Sequence, residues 1–272
     1  MRVAHLGPAG TFSESAAALH DPDAELVPYP SITASARSIL NGECDQAVTP
    51  IENSLQGPIT ETLDLLIHED GFSIMSEINL SVVHNLMASP DVLLGDIKRV
   101  YSHPQALGQC RGWLESHLPG VQVAAALSTA GSVEQAANDP TPAAAIAPWR
   151  AAALYGAKIL VEGIQDDDNN VTRFLVLSSK DAQPSGDDKT SICFSFDDDK
   201  PGLLYHMMAL FASAKINLTK VESRPTRLGL GRYYFLVDLE GHREDSVVKA
   251  VLTEVKSAVS ELKVFGSYPR FR

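Results

Sequence analysis

The sequence predicts a large α/β domain followed by a small α+β domain with the ferredoxin-like order of elements. Three observations predict it. Short apolar runs alternate with helix-like stretches from the first residue. A polar stretch, SSKDAQPSGDDK, interrupts them at Ser178 to Lys189. Beyond it the order becomes strand, helix, strand, strand, helix, strand within about 80 residues.

In the large domain, Arg2 to Leu6 reads as a strand, Ser13 to Leu19 as a helix, Glu25 to Val27 as a strand, and Ser31 to Leu40 as a helix with Ser31 as its N-cap. Gln46 to Val48 is a strand, Ile59 to Ile67 a helix and Phe72 to Ala88 extended chain. Strand Arg99 to Tyr101, helix Gln105 to His117, strand Val121 to Ala125, helix Ser128 to Ala137, strand Ala143 to Ala147, helix Trp149 to Tyr155 and strand Thr172 to Leu177 follow. Such alternation implies largely parallel sheets with ligands at the carboxyl ends of the strands. The small domain has strand Thr190 to Phe196, helix Gly202 to Ala214, strands Leu218 to Ser223 and Tyr233 to Leu239, helix Asp245 to Val259 and strand Leu262 to Tyr268. The domains are therefore residues 1–179 and 189–272, joined by a linker at 180–188.

Composition excludes several classes of function. Of 272 residues, 44% are hydrophobic and 21% charged, which suits a globular chain with a sizeable core. The net charge of −12, with no basic cluster, argues against nucleic acid as a partner. No apolar run approaches the roughly 18 residues of a membrane span, and MRVAHLGPAG lacks the apolar core of a signal peptide, so a cytoplasmic location without membrane contact is expected. The three cysteines, Cys44, Cys110 and Cys193, have no metal-ligand spacing and read as reduced and structural.

Three strand-to-helix turns are rich in hydroxyls and amides: Gly7 to Ser13, Thr49 to Ser54, and Ser102 to Gln105. Glycines there let backbone amides approach an anionic ligand, and they serve tight packing equally well. Together the turns suggest a polar cleft in which neutral donors hold a carboxylate. His103 fits either capping or catalysis, and Glu52 either orients Asn53 or closes a cap. Arg173 suits a bidentate carboxylate contact. Yet neighbours in a regular strand face opposite sides, so Thr172 and Arg173 share a pocket only if the strand bends. The acidic runs Asp166 to Asp168 and Asp197 to Asp199 read as solvated surface, and no metal is expected.

Four segments, GPAGTFSE at Gly7 to Glu14, PIENS at Pro50 to Ser54, YSHPQALGQC at Tyr101 to Cys110 and TRF at Thr172 to Phe174, together resemble the prephenate dehydratase family. The second domain resembles the ACT regulatory module through PGLL at Pro201 to Leu204 and ESRP at Glu222 to Pro225. The resemblance implies a two-lobed α/β catalytic domain, similar to type II periplasmic binding proteins, plus a ferredoxin-like ACT domain. It also implies a monofunctional enzyme, without a preceding chorismate mutase domain, that converts prephenate to phenylpyruvate, CO2 and water without a cofactor. Thr172 is then the donor to the departing hydroxyl. Thr11, Ser13, Asn53, Ser54, Ser102, Gln105, Gln109 and Arg173 become substrate contacts, with Glu52, His103 and Phe174 as further residues that orient it, although Phe174 also reads as a core aromatic.

In the ACT domain the resemblance implies phenylalanine bound between two copies by Gly202, Leu203, Leu204, Asn217, Leu218, Glu222, Ser223 and Arg224, in a homodimer or homotetramer. Leu203 departs from the small alanine usual in the family and is expected to narrow that pocket. Two other readings stand beside this one: an arogenate dehydratase, which does the same elimination on the aminated substrate, and a non-catalytic binding protein for an amino acid or small acid.

Overall fold

The computed structural model describes residues 1–197, 200–227 and 231–271. Asp198 and Asp199, part of the second acidic run, lie outside them. In chain order the strands are β1 (Arg2–Leu6), β2 (Glu25–Tyr29), β3 (Gln46–Asn53), β4 (Gly57–Pro58), β5 (Ser73–Ser81), β6 (Asn85–Ala88), β7 (Arg99–Ser102), β8 (Gln122–Ala125), β9 (Ala143–Ala147), β10 (Lys158–Val161), β11 (Val171–Ser178), β12 (Asp188–Ser195), β13 (Leu218–Pro225), β14 (Tyr233–Glu240) and β15 (Glu261–Pro269). The helices are α1 (Phe12–His20), α2 (Ile32–Leu40), α3 (Thr60–His68), α4 (Pro104–Gln109), α5 (Arg111–His117), α6 (Gly131–Ala137), α7 (Trp149–Tyr155), α8 (Leu203–Ser213) and α9 (Ser246–Ala258).

The chain divides into two compact units. One comprises Met1–Thr62 and Ile78–Phe174, the other Leu63–Glu77 and Leu175–Arg272. The division differs from the linear boundary expected near residue 180, because Leu63–Glu77 makes its contacts with the C-terminal elements. Lys189 Nζ bonds both carboxylate oxygens of Glu77 at 2.9 and 3.0 Å, and Lys263 Nζ donates to the carbonyls of Ile67 and Glu69. Such tertiary bonds leave no mark on local composition, so a linker pattern cannot reveal them.

The first unit carries two lobes. One is built on β2-β1-β3, all parallel, with the parts of β11 up to Phe174 and of β5 from Ile78 that belong to this unit. Almost every residue of β3 is buried, as expected of a strand covered on both faces. Helix α2 starts where Ser31 Oγ accepts the Ala34 N–H at 3.0 Å, so the predicted N-cap is present. The other lobe has the order β10-β6-β9-β7-β8. Only β7, β8 and β9 are parallel there, whereas β6 and β10 run antiparallel to their neighbours. This mixed sheet departs from the largely parallel expectation, since antiparallel pairing needs no crossover helix to announce it. Apolar clusters cover both its faces, one around Leu86, Val100, Leu114 and Ile146, the other around Met87, Val133, Ala145 and Ala151. The single helix expected over Gln105 to His117 is two, because Cys110 leaves helical geometry at φ −116° and ψ 13°.

The second unit has the antiparallel order β13-β14-β12-β15, and α8 and α9 pack on the sheet around Phe194, Phe211, Val237 and Val255. This is the ferredoxin-like arrangement. All three cysteines are buried and unpaired, and burial pushes the thiols of Cys110 and Cys193 up to about 12.

Gly266 of β15 lies against the backbone of Ile74. A Cβ at this position would collide with the Ile74 carbonyl oxygen and come within 2.8 Å of its amide nitrogen. Backbone atoms cannot retreat as a flexible side chain can, so Gly266→Ala is expected to cost about 1–3 kcal/mol. Denaturant unfolding of the full chain measures it, and a variant as stable as the parent would show that the Ile74 strand yields.

Candidate active site

A cavity of about 280 Å³ opens in the first unit where the turns after β1, β3 and β7 meet the loop before α6 and the ends of β5 and β11. Of the residues singled out from the sequence, Thr11, Ser13, Asn53, His103, Gln105, Gln109 and Thr172 line it. They come from four segments far apart in sequence, and strand-end turns converging on one face bring them together.

The first turn packs through Gly10, at φ +84°, where a Cβ would lie 3.3 Å from Ala130 and Ala151. Thr11 caps α1 by accepting the Glu14 N–H, and its own hydroxyl donates to the Leu6 carbonyl at 3.2 Å. Glu14 turns back to accept the Gly10 N–H and pairs with Arg150 at 3.0 Å. The anion preference of this helix start is thus met in part by the chain's own carboxylate. His103 caps α4 by accepting the Gln105 N–H at 3.3 Å, so the capping reading describes its bonding while its ring lines the cavity.

Asn53, 5% exposed, has an amide orientation that its neighbours determine. Its Oδ1 accepts the N–H groups of Leu55 and Gln56, both at 3.1 Å, which leaves Nδ2 to donate. The donations go to Asn170 Oδ1 at 2.7 Å and to Thr172 Oγ at 2.9 Å. Thr172 Oγ is therefore an acceptor toward Asn53, and its own proton is available to a ligand oxygen.

Five residues from the sequence-derived set are not among those lining the cavity. Ser54 latches β3 to the return strand, donating to the Asn169 carbonyl at 3.0 Å and accepting the Val171 N–H at 2.9 Å. Ser102 is fully buried and donates to the Ile146 carbonyl at 2.7 Å. Phe174 is 1% exposed in the core. Arg173 follows Thr172 in an unbroken strand, so alternation turns it to the other face, and Glu52 likewise precedes Asn53 in β3. In the first acidic run, Asp166 caps α5 by accepting the N–H groups of Gly112 and Trp113 at 2.8 and 2.9 Å, a structural role beyond a solvated surface.

Sequence reasoning missed Phe12, Val82, His84, Leu127, Ser128 and Thr129, which also line the cavity. Ser128 and Thr129 had a signal, since they open the turn after β8 as the other site hydroxyls open theirs. His84 had none, for it sits in extended chain between β5 and β6. It is 2% exposed, and its Nε2 lies 2.7 Å from Gln109 Oε1. Burial holds its imidazole below the ordinary histidine pKa, against the opposing effect of the Gln109 hydrogen bond.

In the second unit Gly202, Leu203 and Leu204 line a separate cavity of about 210 Å³ with Phe196, Tyr233 and Phe235. The remaining residues assigned to phenylalanine lie elsewhere. Asn217 is exposed just before β13, and Leu218, Glu222, Ser223 and Arg224 lie on that strand. Glu222 pairs with Lys220 at 3.2 Å, and Arg224 with Asp64 at 2.6 Å.

Comparison with known proteins places this geometry in context. Residues 3–182 match the prephenate dehydratase family and residues 198–257 the ACT domain. A bifunctional chorismate mutase/prephenate dehydratase of Stutzerimonas stutzeri is 40% identical over 99% of this chain and 73% of its own length. The crystal structure of a prephenate dehydratase from Arthrobacter aurescens in complex with L-Phe is 36% identical, with a TM-score of 0.91 over 99% of this chain and 90% of that one. A protein described as a novel type of quorum-quenching acylase, GqqA, is 29% identical, with a TM-score of 0.89 over 100% of this chain and 98% of that one. Among the described residues no helix is long and apolar enough to cross a membrane. With two thirds of its length matching the catalytic region and most of the remainder the regulatory one, the chain belongs to the prephenate dehydratase family and carries an ACT domain.

Proposed function

We propose that the protein is a prephenate dehydratase inhibited or tuned by phenylalanine, and that Thr172 is the donor to the leaving hydroxyl. The single observation that supports this assignment of roles is the Asn53 amide on Thr172 Oγ. In the reaction the bond between the ring and its carboxylate breaks, CO2 departs, and the electron pair moves through the ring to expel the hydroxyl at the opposite carbon. The product is aromatic phenylpyruvate, and the departing oxygen takes up one proton to become water. A hydroxyl that already accepts an amide proton is a poorer nucleophile and a better hydrogen-bond donor, which suits assistance to a leaving group. It suits the acyl transfer of an acylase less well, because that chemistry needs a nucleophile activated by a base.

The substrate carries two carboxylates, and the cavity presents Thr11, Ser13, Gln105 and Gln109 as neutral donors. Arg173 lies off the lining, so its assignment as a substrate contact now requires the ligand or the strand to reach it. In the ACT domain the apolar cavity at Leu203 suits an aromatic side chain. Leu203 is among the residues that line that cavity, so its size sets part of the space open to such a side chain. The edge strand β13, with Val221 51% exposed, suits pairing with a second copy, which would enclose the ligand's polar end beside Glu222.

Purified protein given prephenate should accumulate phenylpyruvate, read by its absorbance in alkali, and a parallel assay with arogenate ranks the two substrates. Thr172→Ala is expected to lower kcat by about 10² to 10⁴ while KM stays within a few-fold. Turnover near the parent's would remove Thr172 from the chemistry.

For regulation, phenylalanine should bind the full chain in calorimetry and alter its rate. Glu222→Ala should weaken that binding without changing the basal rate. Unchanged phenylalanine affinity in the variant would take Glu222 out of the effector site.

A further inference from the structure

We infer that His84 is a positioning residue for the dehydratase reaction, acting through Gln109 to turn that side chain's NH2 group toward the substrate. The inference rests on the dehydratase reading for the identity of the substrate and on the pair itself for its geometry.

His84 and Gln109 line the same cavity, and their side chains meet at 2.7 Å between Nε2 and Oε1. An amide oxygen only accepts, so the imidazole proton resides on Nε2 and Nδ1 carries the lone pair. Two atoms of the pair, His84 Nδ1 and Gln109 Nε2, are buried without a partner. A buried donor without a partner is destabilising, and a ligand oxygen reaching Gln109 Nε2 would satisfy it.

The ring has little freedom to leave this arrangement. Phe12 packs edge-on against it at 5.5 Å between centroids, the His84 N–H donates to Gln165 Oε1 at 3.0 Å, and the His84 carbonyl accepts the Ile164 N–H at 2.9 Å. Burial lowers the pKa of the imidazole and so favours its neutral form, in which Nε2–H serves as the donor to Gln109.

The consequence concerns sign. Glutamine's two ends are nearly the same size, and one rotation exchanges its C=O for its NH2. An anionic substrate is repelled by the first and held by the second. By claiming Oε1, His84 selects the orientation that favours an anion. Gln105 lies one turn earlier on the same face of α4, so the two amides can act on one substrate oxygen or on adjacent ones.

A double-mutant cycle tests this with prephenate as substrate. His84→Phe removes the donor and keeps an aromatic ring against Phe12, while Gln109→Met removes the amide. Each is expected to raise KM about tenfold with kcat within a few-fold, and the double variant should be no worse than Gln109→Met alone. His84→Gln, whose NH2 can stand near the lost Nε2, should recover most of the affinity. Additive losses, or a fall in kcat at unchanged KM, would overturn the inference.

Should His84→Phe fail to fold, nitrogen NMR of the parent imidazole decides. The pair requires a protonated Nε2 and, in the neutral ring, a bare Nδ1, and a neutral ring protonated on Nδ1 with a bare Nε2 would refute it. A parent chain without dehydratase activity would refute the substrate assignment, while the NMR measurement would still judge the pair.

Discussion

One buried amide, that of Asn53, joins the segments on which the site is built. Its oxygen closes the turn after β3 by accepting from Leu55 and Gln56, and its nitrogen reaches the return strand at Asn170 and Thr172. Each of these groups would cost about 1–3 kcal/mol if left buried and unpaired. Asn53 therefore stabilises the crossing of β3 and β11 and sets the direction of the Thr172 hydroxyl at once. Both amide hydrogens of Asn53 are thus engaged within the protein, while the residue still lines the cavity.

Around that amide the cavity lining is made of hydroxyls, carboxamides, imidazoles and apolar groups, with no Lys or Arg among the described lining residues. The chain carries a net charge of −12, and the nearby carboxylate Glu14 is neutralised locally by Arg150 and the Gly10 amide. Hydroxyls and carboxamides supply the donors instead. Such donors are effective only when their direction is fixed, since a free amide or hydroxyl is as ready to present its oxygen. This explains why buried partners such as His84 behind Gln109 and Asn170 beside Asn53 matter as much as the groups that face the ligand.

The second unit is held by a different kind of contact. Asp64 accepts from Arg224 at 2.6 Å and from Arg227 at 2.7 Å, and Glu77 is buried against Lys189. Side-chain exposure is 3% at Glu77 and 12% at Lys189, so removing either partner would strand a charge away from water. Helix α3 begins in one unit and ends in the other, with Thr62 donating to the Pro50 carbonyl on one side of the division and Asp64 meeting Arg224 on the other.

The amino-acid sequence by itself determined the succession of elements, the ferredoxin-like order after the linker, and the segments that supply the cavity. It could do so because apolar periodicity, turn residues and caps such as Ser31 act over a few neighbours. Strand alternation, also local, left open whether the strand bends at Thr172 and Arg173 or turns them to opposite faces, and the unbroken β11 favours the second. Tertiary structure decided what depends on distant partners. The helix break at Cys110, the antiparallel strands β6 and β10, the union of Leu63–Glu77 with the C-terminal elements and the latch roles of Ser54 and Ser102 all arise from groups tens of residues apart. His84 is the clearest case. Nothing beside it in the chain marks it, and only the fold brings its ring to Gln109, 25 positions away, where burial and one hydrogen bond give it a role.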